Sequence, residues 1–474
     1  MNPNRISNIK TGLVTSKKKY VLYWMQQAQR VEYNHALLHA ISRANDLHLP
    51  LVVFFGLTPN YPEANLRHYQ FMLEGLKEVK KQLEAMHIHF IFKLDSPEKA
   101  IIPLLIEADT LVMDYGYLRH QKKGRQIIWD YANRHLSEMT IDIVDSDVIV
   151  PVEVVSSKAE YGAYTLRPKL HKVYNEYRDY DGLTSVKYHS SILFESDDDL
   201  SNIELLLSKL NIDKTVFPSV IYYGGYTQAK NHLFDFLTNK VNHYPLSNNP
   251  GEDLTSKLSM YLHFGQISAL EILDTLIEKF QAREVTQEAY LAFFEQQLVR
   301  RELAFNYVTY QKGYDRFESM TEPWAYITMK EHNHDDRLYL YTKQDYVTFK
   351  THDPYFNAAM KEMVYTGYMH NYMRMYWAKK IIEWSKSFEE AYSIILELNN
   401  KYFIDGRDAN SYAGVAWCFG KHDRAWTERP IFGKLRYMNA SGLERKFDME
   451  KYINRINDMI LIYQNKTHSS GDNL

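Results

Sequence analysis

Thr255, Ser256 and Ser259 stand together where a turn-rich stretch, SNNPGED, gives way to a helical pattern. Hydroxyls and free backbone N–H groups at a helix start make a site for an anion such as a phosphate; simple N-capping is the plainer use of the same residues. A second group lies between Lys421 and Lys446. Lys421, Arg424, Arg429, Lys434, Arg436, Arg445 and Lys446 face Asp423, Glu428 and Glu444 there, interleaved with Trp426, Phe432 and Tyr437. Seven bases to three acids with aromatic rings between them suit nucleic-acid phosphates, and a solvated charged loop equally. His87 and His89 alternate on one strand face, where satisfied polar positions compete with a metal pair. Cys418 is the single cysteine, which excludes an internal disulfide framework and a cysteine-rich zinc site and leaves a buried thiol. No metal site is expected. The chain has no G-x-G-x-x-G and no P-loop, which disfavours nicotinamide-dependent dehydrogenases and NTPases.

These groups need elements to hold them. The chain has 474 residues, too many for one core. Apolar runs at Lys19–Met25, Leu49–Phe55, His87–Phe92, Thr110–Met113 and Ile141–Val144 read as strands. Helical spacing falls between them at Tyr33–Asn45, Asn65–Met86, the stretch PEKAIIPLLIEA after Ser96, and Arg119–His135. That alternation predicts a doubly wound, mostly parallel, Rossmann-like sheet with ligands beyond the carboxyl ends of its strands. Residues 176–226, with a Ser/Asp cluster SDDDLSN, read as a linker between a unit at 1–175 and one at 227–474. From Thr255 onward strand-type alternation nearly vanishes. Ser256–Tyr261, Ser268–Gln281, Gln287–Tyr310, Asp353–Thr366, His370–Ser385 and Phe388–Asn400 read as helices of an all-α unit. No apolar run reaches the roughly 18 residues a bilayer crossing needs. The N-terminus carries no secretory pattern, so a cytoplasmic location is expected. Net charge is −3, so any DNA surface must come from local clustering.

Several blocks resemble the photolyase/cryptochrome family, and class II photolyases within it. LTSKLSMYLHFGQIS (254–268) looks like its flavin-phosphate segment, and VRREL (299–303) like the following helix. MVYTGYMHNYMRMYWAKKIIEW (363–384), LNNKYFIDGRD (398–408) and GVAWCFGKHDRAWTERPIFGKLRYM (414–438) look like class II signatures. YWMQQAQRVEYNHAL (23–37) resembles the class II start of the antenna domain. The resemblance implies an antenna domain, a helical FAD domain, and light-driven splitting of pyrimidine dimers in DNA by a monomer. It implies FAD contacts from Tyr244, Thr255, Ser256, Leu258, Ser259, Arg301, Arg374 and Asp405. Arg301 would reach the phosphates; pairing with Glu302 or Glu295 is the alternative. Arg374 and Asp405 would lie against the flavin ring, unless they are a purely structural ion pair. Asn399 would sit beside flavin N5, unless it only ends a helix. Trp417 and Met375 would wall the dimer pocket, and Arg424, Trp426 and Arg436 would meet the duplex. A second antenna chromophore, deazaflavin or folate, is also allowed by the resemblance.

Three positions depart from the family pattern. Glu295-Gln296 stands where the family has Glu-Glu, so Gln296 replaces an acid that would hydrogen-bond the dimer. Ser247-Asn248-Asn249-Pro250 replaces an R-N-x-P segment. Phe356 replaces the middle tryptophan of an electron chain whose inner and outer members match Trp377 and Trp384. Tyr341, Tyr355 or Tyr376 would then have to relay. Gln296 and Phe356 favour a cryptochrome-like photoreceptor as the alternative function; a DNA-binding module without photochemistry is a third reading.

Overall fold

The computed structural model describes residues 1–13, 18–180, 182–189 and 200–471, with side chains up to residue 465. The first half is built on a six-stranded sheet. Its strands are β1 (Ile6–Lys10), β2 (Tyr20–Trp24), β3 (Leu51–Gly56), β4 (His89–Lys93), β5 (Ala108–Asp114) and β6 (Thr140–Val144), in the order β1-β6-β5-β2-β3-β4. β2 and β3 are buried along their whole length. Strands covered on both faces read as continuous apolar runs, and that is why they were legible. Helices α1 (His35–Leu47), α2 (Leu66–Ala85) and α3 (Arg119–His135) connect the parallel strands.

Two details differ from the sequence expectation. β1 was not anticipated: ISNIK has no apolar alternation, and it adds as an antiparallel edge on β6. The helix expected after Ser96 is two short helices, Pro97–Ala100 and Ile102–Leu105. Pro103 has no N–H to continue the first helix into the second. Part of the Ser/Asp cluster (Ser196 to Asp199) lies outside the described residues; the leucine-rich stretch after it contains a short helix, Ile203–Ser208.

After α4 (Ala163–Val173) and the connecting segment, the described chain is helical. The elements that matter below are α5 (Ser259–His263), α6 (Ala269–Gln281), α7 (Gln287–Phe294), α8 (Arg301–Tyr310), α9 (Pro354–Thr366), α10 (Asn371–Trp384), α11 (Phe388–Tyr402) and α12 (Ala409–Cys418). The expected helix Ser256–Tyr261 starts three residues late. Lys257 has φ +56°, a left-handed conformation that a helix cannot contain. The expected helix Gln287–Tyr310 is present, but a π-turn at Glu295–Arg300 interrupts it between α7 and α8.

Buried arginines tie the two halves together through backbone carbonyls. Arg67 of α2 donates to the carbonyls of Tyr402 (2.8 Å), Val364 (2.6 Å) and Phe217 (2.9 Å). Arg30 donates to those of Gly265 (3.0 Å) and Ser146 (2.6 Å). Each fork satisfies carbonyls that would otherwise be buried without a donor.

Candidate functional site

A cavity of about 1870 Å³, counting its open mouth, lies within the helical half. Thr255, Ser256, Leu258 and Ser259 line it from the segment entering α5, and Tyr244 from the turn before. The Thr255 hydroxyl is within 3.0 Å of the Tyr368 hydroxyl. Lys257, missed at the sequence level, also lines this wall; its ammonium is held by Asp253 at 2.9 Å and lies 4.0 Å from the Tyr368 ring centre.

The π-turn decides which residues of its stretch face the cavity. Gln296 and Arg301 do. Glu295 turns away and forms a bidentate pair with Arg167 of α4 (2.8 and 2.9 Å) and a contact to Arg300 (3.1 Å). An inserted residue in a helix re-aims side chains in this way. Arg301 is therefore not paired with Glu295. Its fork binds Asp147 from the loop after β6 at 2.8 Å, with Glu302 at 3.4 Å. Burial pushes the Asp147 carboxyl up to about 6, against the pull of Arg301.

Arg374 of α10 and Asp405 of the α11–α12 turn form a fork-to-fork pair at 2.9 and 3.0 Å on the cavity wall. The guanidinium also lies 3.9 Å from the Phe403 ring centre. Asn399 is three residues inside the end of α11, so it does not cap the helix. Its amide N–H donates to the Asn400 side chain at 3.1 Å, which leaves its carbonyl oxygen to the cavity. Met375, Trp377 and Trp417 complete the apolar wall. Asp408 lines it too and was not anticipated; burial raises its carboxyl, but His263, Asn410 and Arg301 together hold it down to about 2.

The walls fit a flavin dinucleotide. They combine an apolar slot, cations near hydroxyls, and an amide that both donates and accepts. A Cβ added at Gly414, on the cavity floor, would meet nothing within 4 Å. His422 Nε2 is buried at the wall with no protein partner.

The remaining aromatic candidates lie behind the cavity. Trp377 donates from Nε1 to Met360 Sδ at 2.9 Å. Trp384, at the far end of α10, packs on Phe356 (5.1 Å between ring centres), Tyr341 (5.3 Å) and Tyr346 (6.5 Å). Met360 and Phe356, one turn apart on α9, therefore occupy the space between the two indoles. The tyrosines expected as relays are placed differently from one another. Tyr341 lies outward of Trp384, stacked towards the exposed Tyr339. Tyr355 reaches Glu444 on the surface. The buried Tyr376 donates its hydroxyl to Asp353.

The basic block lies beside the mouth, and part of it is not surface. Lys421 is buried against Glu322 at 2.6 Å, and Phe432 is 1% exposed. Arg436 binds Asp423 through two nitrogens (2.9 and 3.2 Å) and lies 4.3 Å from the Trp426 ring centre and 5.2 Å from that of Trp417. Its fork is occupied, so it shapes the face rather than offering a free cation. Arg424 is exposed, 5.4 Å over Trp426, with no acid partner among the described residues.

A second cavity of about 1020 Å³ opens beyond the carboxyl ends of β2 and β3, next to the point between β2 and β5 where the strand order reverses. Trp24, Phe55, Tyr69 and Phe264 line it with Gln26 and Arg407. Among the described residues no group of three or more His, Cys, Asp and Glu side chains is placed to hold a metal ion, and no helix is long and apolar enough to cross a membrane. His87, with φ +58°, lies in the turn before β4 and does not alternate with His89 on a strand face.

Residues 21–187 match the family profile of DNA photolyase, and residues 293–458 that of the FAD binding domain of DNA photolyase. The chain is 40% identical over 461 residues to the deoxyribodipyrimidine photo-lyase of Methanothermobacter thermautotrophicus, covering 97% of this chain and 99% of that one. It is 36% identical to the enzyme of the same name from Arabidopsis thaliana, covering 98% and 95%. An archaeal photolyase from Sulfolobus tokodaii, described with two FAD molecules, shares the fold at a TM-score of 0.64 and 17% identity, covering 92% of this chain and 89% of that one. With an FAD-type cavity in its helical half and relatives at this identity along nearly its whole length, the chain belongs to the DNA photolyase family.

Proposed function

We propose that this protein repairs cyclobutane pyrimidine dimers in DNA as a class II photolyase, acting as a monomer. The observation that carries the reading is the Arg374–Asp405 pair facing Asn399 in one cavity, whose mouth is bordered by Trp417 and lies next to Arg424 and Trp426. Bound in this cavity, reduced FAD would supply the reversible, light-driven one-electron chemistry that opens a dimer's ring. The chain's own residues bind, orient and hold charge. Arg374 presents a positive charge to an electron-rich ring, and Asp405 fixes its orientation. Asn399 serves an acceptor or donor position as the ring's protonation requires. The lesion must leave the duplex to enter, and dimers stack poorly, which lowers the cost. Trp417 and Met375 then wall it, while Arg424 neutralises phosphate outside. Gln296 donates an amide N–H where an acid would share a proton.

The second cavity is the proposed place for a second, light-gathering chromophore, a deazaflavin or a folate. Its position next to the switch point of the sheet supports this, as does the Sulfolobus relative described with two flavins. A cryptochrome-like photoreceptor is the second reading, favoured by Gln296 and by Phe356 in the aromatic path. Illuminating the reduced holoprotein with a dimer-containing oligonucleotide, and following the return of thymine absorbance, separates the two. Recovery supports repair. Flavin retention without recovery supports the receptor, and a colourless protein without flavin overturns both.

A further inference from the structure

Lys379 is a buried cation that the proposed function leaves unused. It lies on α10 beside Ala378 and one turn beyond Met375, both of which line the cavity, yet its own side chain is 0% exposed. Its ammonium donates to the Cys418 carbonyl at 2.5 Å, at the carboxyl end of α12, and lies 5.8 Å from the Trp417 ring centre. The nearby acids are committed to other cations. Asp423 is paired with Arg436, and Glu383 with Lys380. Among the described residues no carboxylate forms an ion pair with Lys379.

Trp417 and Met375, the cavity residues beside it, are not acidic. The two carboxylates on the cavity wall belong to Asp405, paired with Arg374, and Asp408, bound by Asn410. A buried unpaired ammonium is costly, and an apolar side chain of similar length would fill the same space without that cost. The helix-end carbonyl offsets only part of it. A fixed charge in a low-dielectric wall acts strongly on charge that develops in front of it.

We infer that Lys379 is a positioning residue of the lesion pocket whose fixed positive charge, behind Trp417, stabilises the negative charge the dimer carries between receiving and returning the electron. The inference rests on the repair reading above. Electrons balance without the lysine: one enters the dimer and the same one leaves, and Lys379 transfers no proton.

Burial lowers the Lys379 ammonium to about 8. The groups facing it do not change charge in the same range. The Cys418 thiol beside it is pushed up by burial to about 11, and the His422 ring, elsewhere on the cavity wall, down to about 4. Asp423 is paired with Arg436, Glu383 with Lys380 and Glu322 with Lys421. Between about pH 7 and 9.5, Lys379 is the group at this wall that loses its charge.

The test measures repair per absorbed photon by reduced holoprotein saturated with a dimer-containing oligonucleotide across that pH range. The dark dissociation constant is measured alongside, for wild type, Lys379→Arg and Lys379→Met. The wild-type yield should fall roughly threefold or more as pH rises, the Lys379→Arg profile should be flat, and Lys379→Met should be low throughout. Dark affinity should stay within about twofold in all three, because the unreduced dimer carries no added charge. Identical pH profiles in wild type and Lys379→Arg would overturn the inference. So would a loss of yield in Lys379→Met matched by an equal loss of dark affinity. If Lys379→Met does not fold, the wild-type and Lys379→Arg profiles decide alone. No repair by wild type at any pH would instead overturn the repair reading itself.

Discussion

Asp405 shows how much rests on a single carboxylate. Its two oxygens hold both terminal nitrogens of Arg374, which also stacks on Phe403. In Asp405→Ala the guanidinium keeps its stacking and its bond to the Met369 carbonyl but loses its counter-charge. The cost should be ~3 kcal/mol, the low end for a broken buried pair, because Arg374 borders a cavity that water can enter. FAD content after purification and the denaturant midpoint should both drop; unchanged values in both would show that the pair does not organise the site. Arg424 and Arg436 separate in the same way. Arg424→Ala removes an unpaired exposed cation, so it should weaken dark DNA binding modestly and lower the salt slope by about one. Arg436→Ala leaves Asp423 unpaired beside Trp417 and Trp426, so it should also reduce the preference for dimer-containing DNA. Titrations of damaged and undamaged duplex at several salt concentrations would read both effects. The two arginines look alike in sequence, and the fork to Asp423 is what sets them apart.

At the scale of elements, α9 and α10 lie together and place Phe356 and Met360 between Trp377 and Trp384. Phenylalanine is much harder to oxidise than tryptophan; Tyr346 packs on it and on Trp384 (5.3 and 6.5 Å between ring centres), so a tyrosine stands beside the position and not in it. Photoreduction of oxidised flavin should therefore be slow, while repair by chemically reduced protein, which does not use this path, stays intact. Phe356→Trp should speed photoreduction several-fold and leave the repair yield unchanged. Phe356 is fully buried, so the larger ring should cost about 1–3 kcal/mol of stability. Transient absorption on both proteins would read it, and equal rates would take position 356 off the path. The helices themselves were legible from their 3.6-residue spacing and caps. The π-turn at Glu295–Arg300 was not, since a single inserted residue barely disturbs an apolar periodicity.

For the molecule as a whole, the contact between the sheet half and the helical half carries buried acids that set its response to pH. Glu302 accepts from the backbone N–H groups of Ile149 (3.1 Å) and Val150 (3.4 Å), and burial pushes its carboxyl up to about 7. A carboxyl whose folded value lies above its unfolded one binds more protons folded than unfolded in the interval between. Stability then falls as pH rises from about 4.5 to 7. Asp408 and Glu160, both held down to about 2, work the other way. Their contribution is present above the usual carboxylate range and is lost as pH falls from about 4 towards 2. Thermal stability should therefore peak at mildly acidic pH. Glu302→Gln should flatten the decline between about pH 5 and 7 without moving the acid limb. A melting series across that range checks this, and an unchanged slope in Glu302→Gln would assign the decline to another group.

The two architectures were legible in the pattern of the chain, and the cavity residues through the family resemblance. Buried parallel strands and amphipathic helices write their burial into apolar periodicity, and the residues expected at the flavin, from Tyr244 to Asp405, do line one cavity. The partners of these side chains depend on contacts between distant parts of the chain. Asp147 meets Arg301 across 154 positions of chain, Arg167 draws Glu295 out of the site, and Lys421 and Phe432 leave the basic face for the core. A side chain's type limits what it can bind, but its counter-charge and its exposure belong to whatever the fold brings beside it. Such contacts span long stretches of chain and leave no local pattern in the sequence.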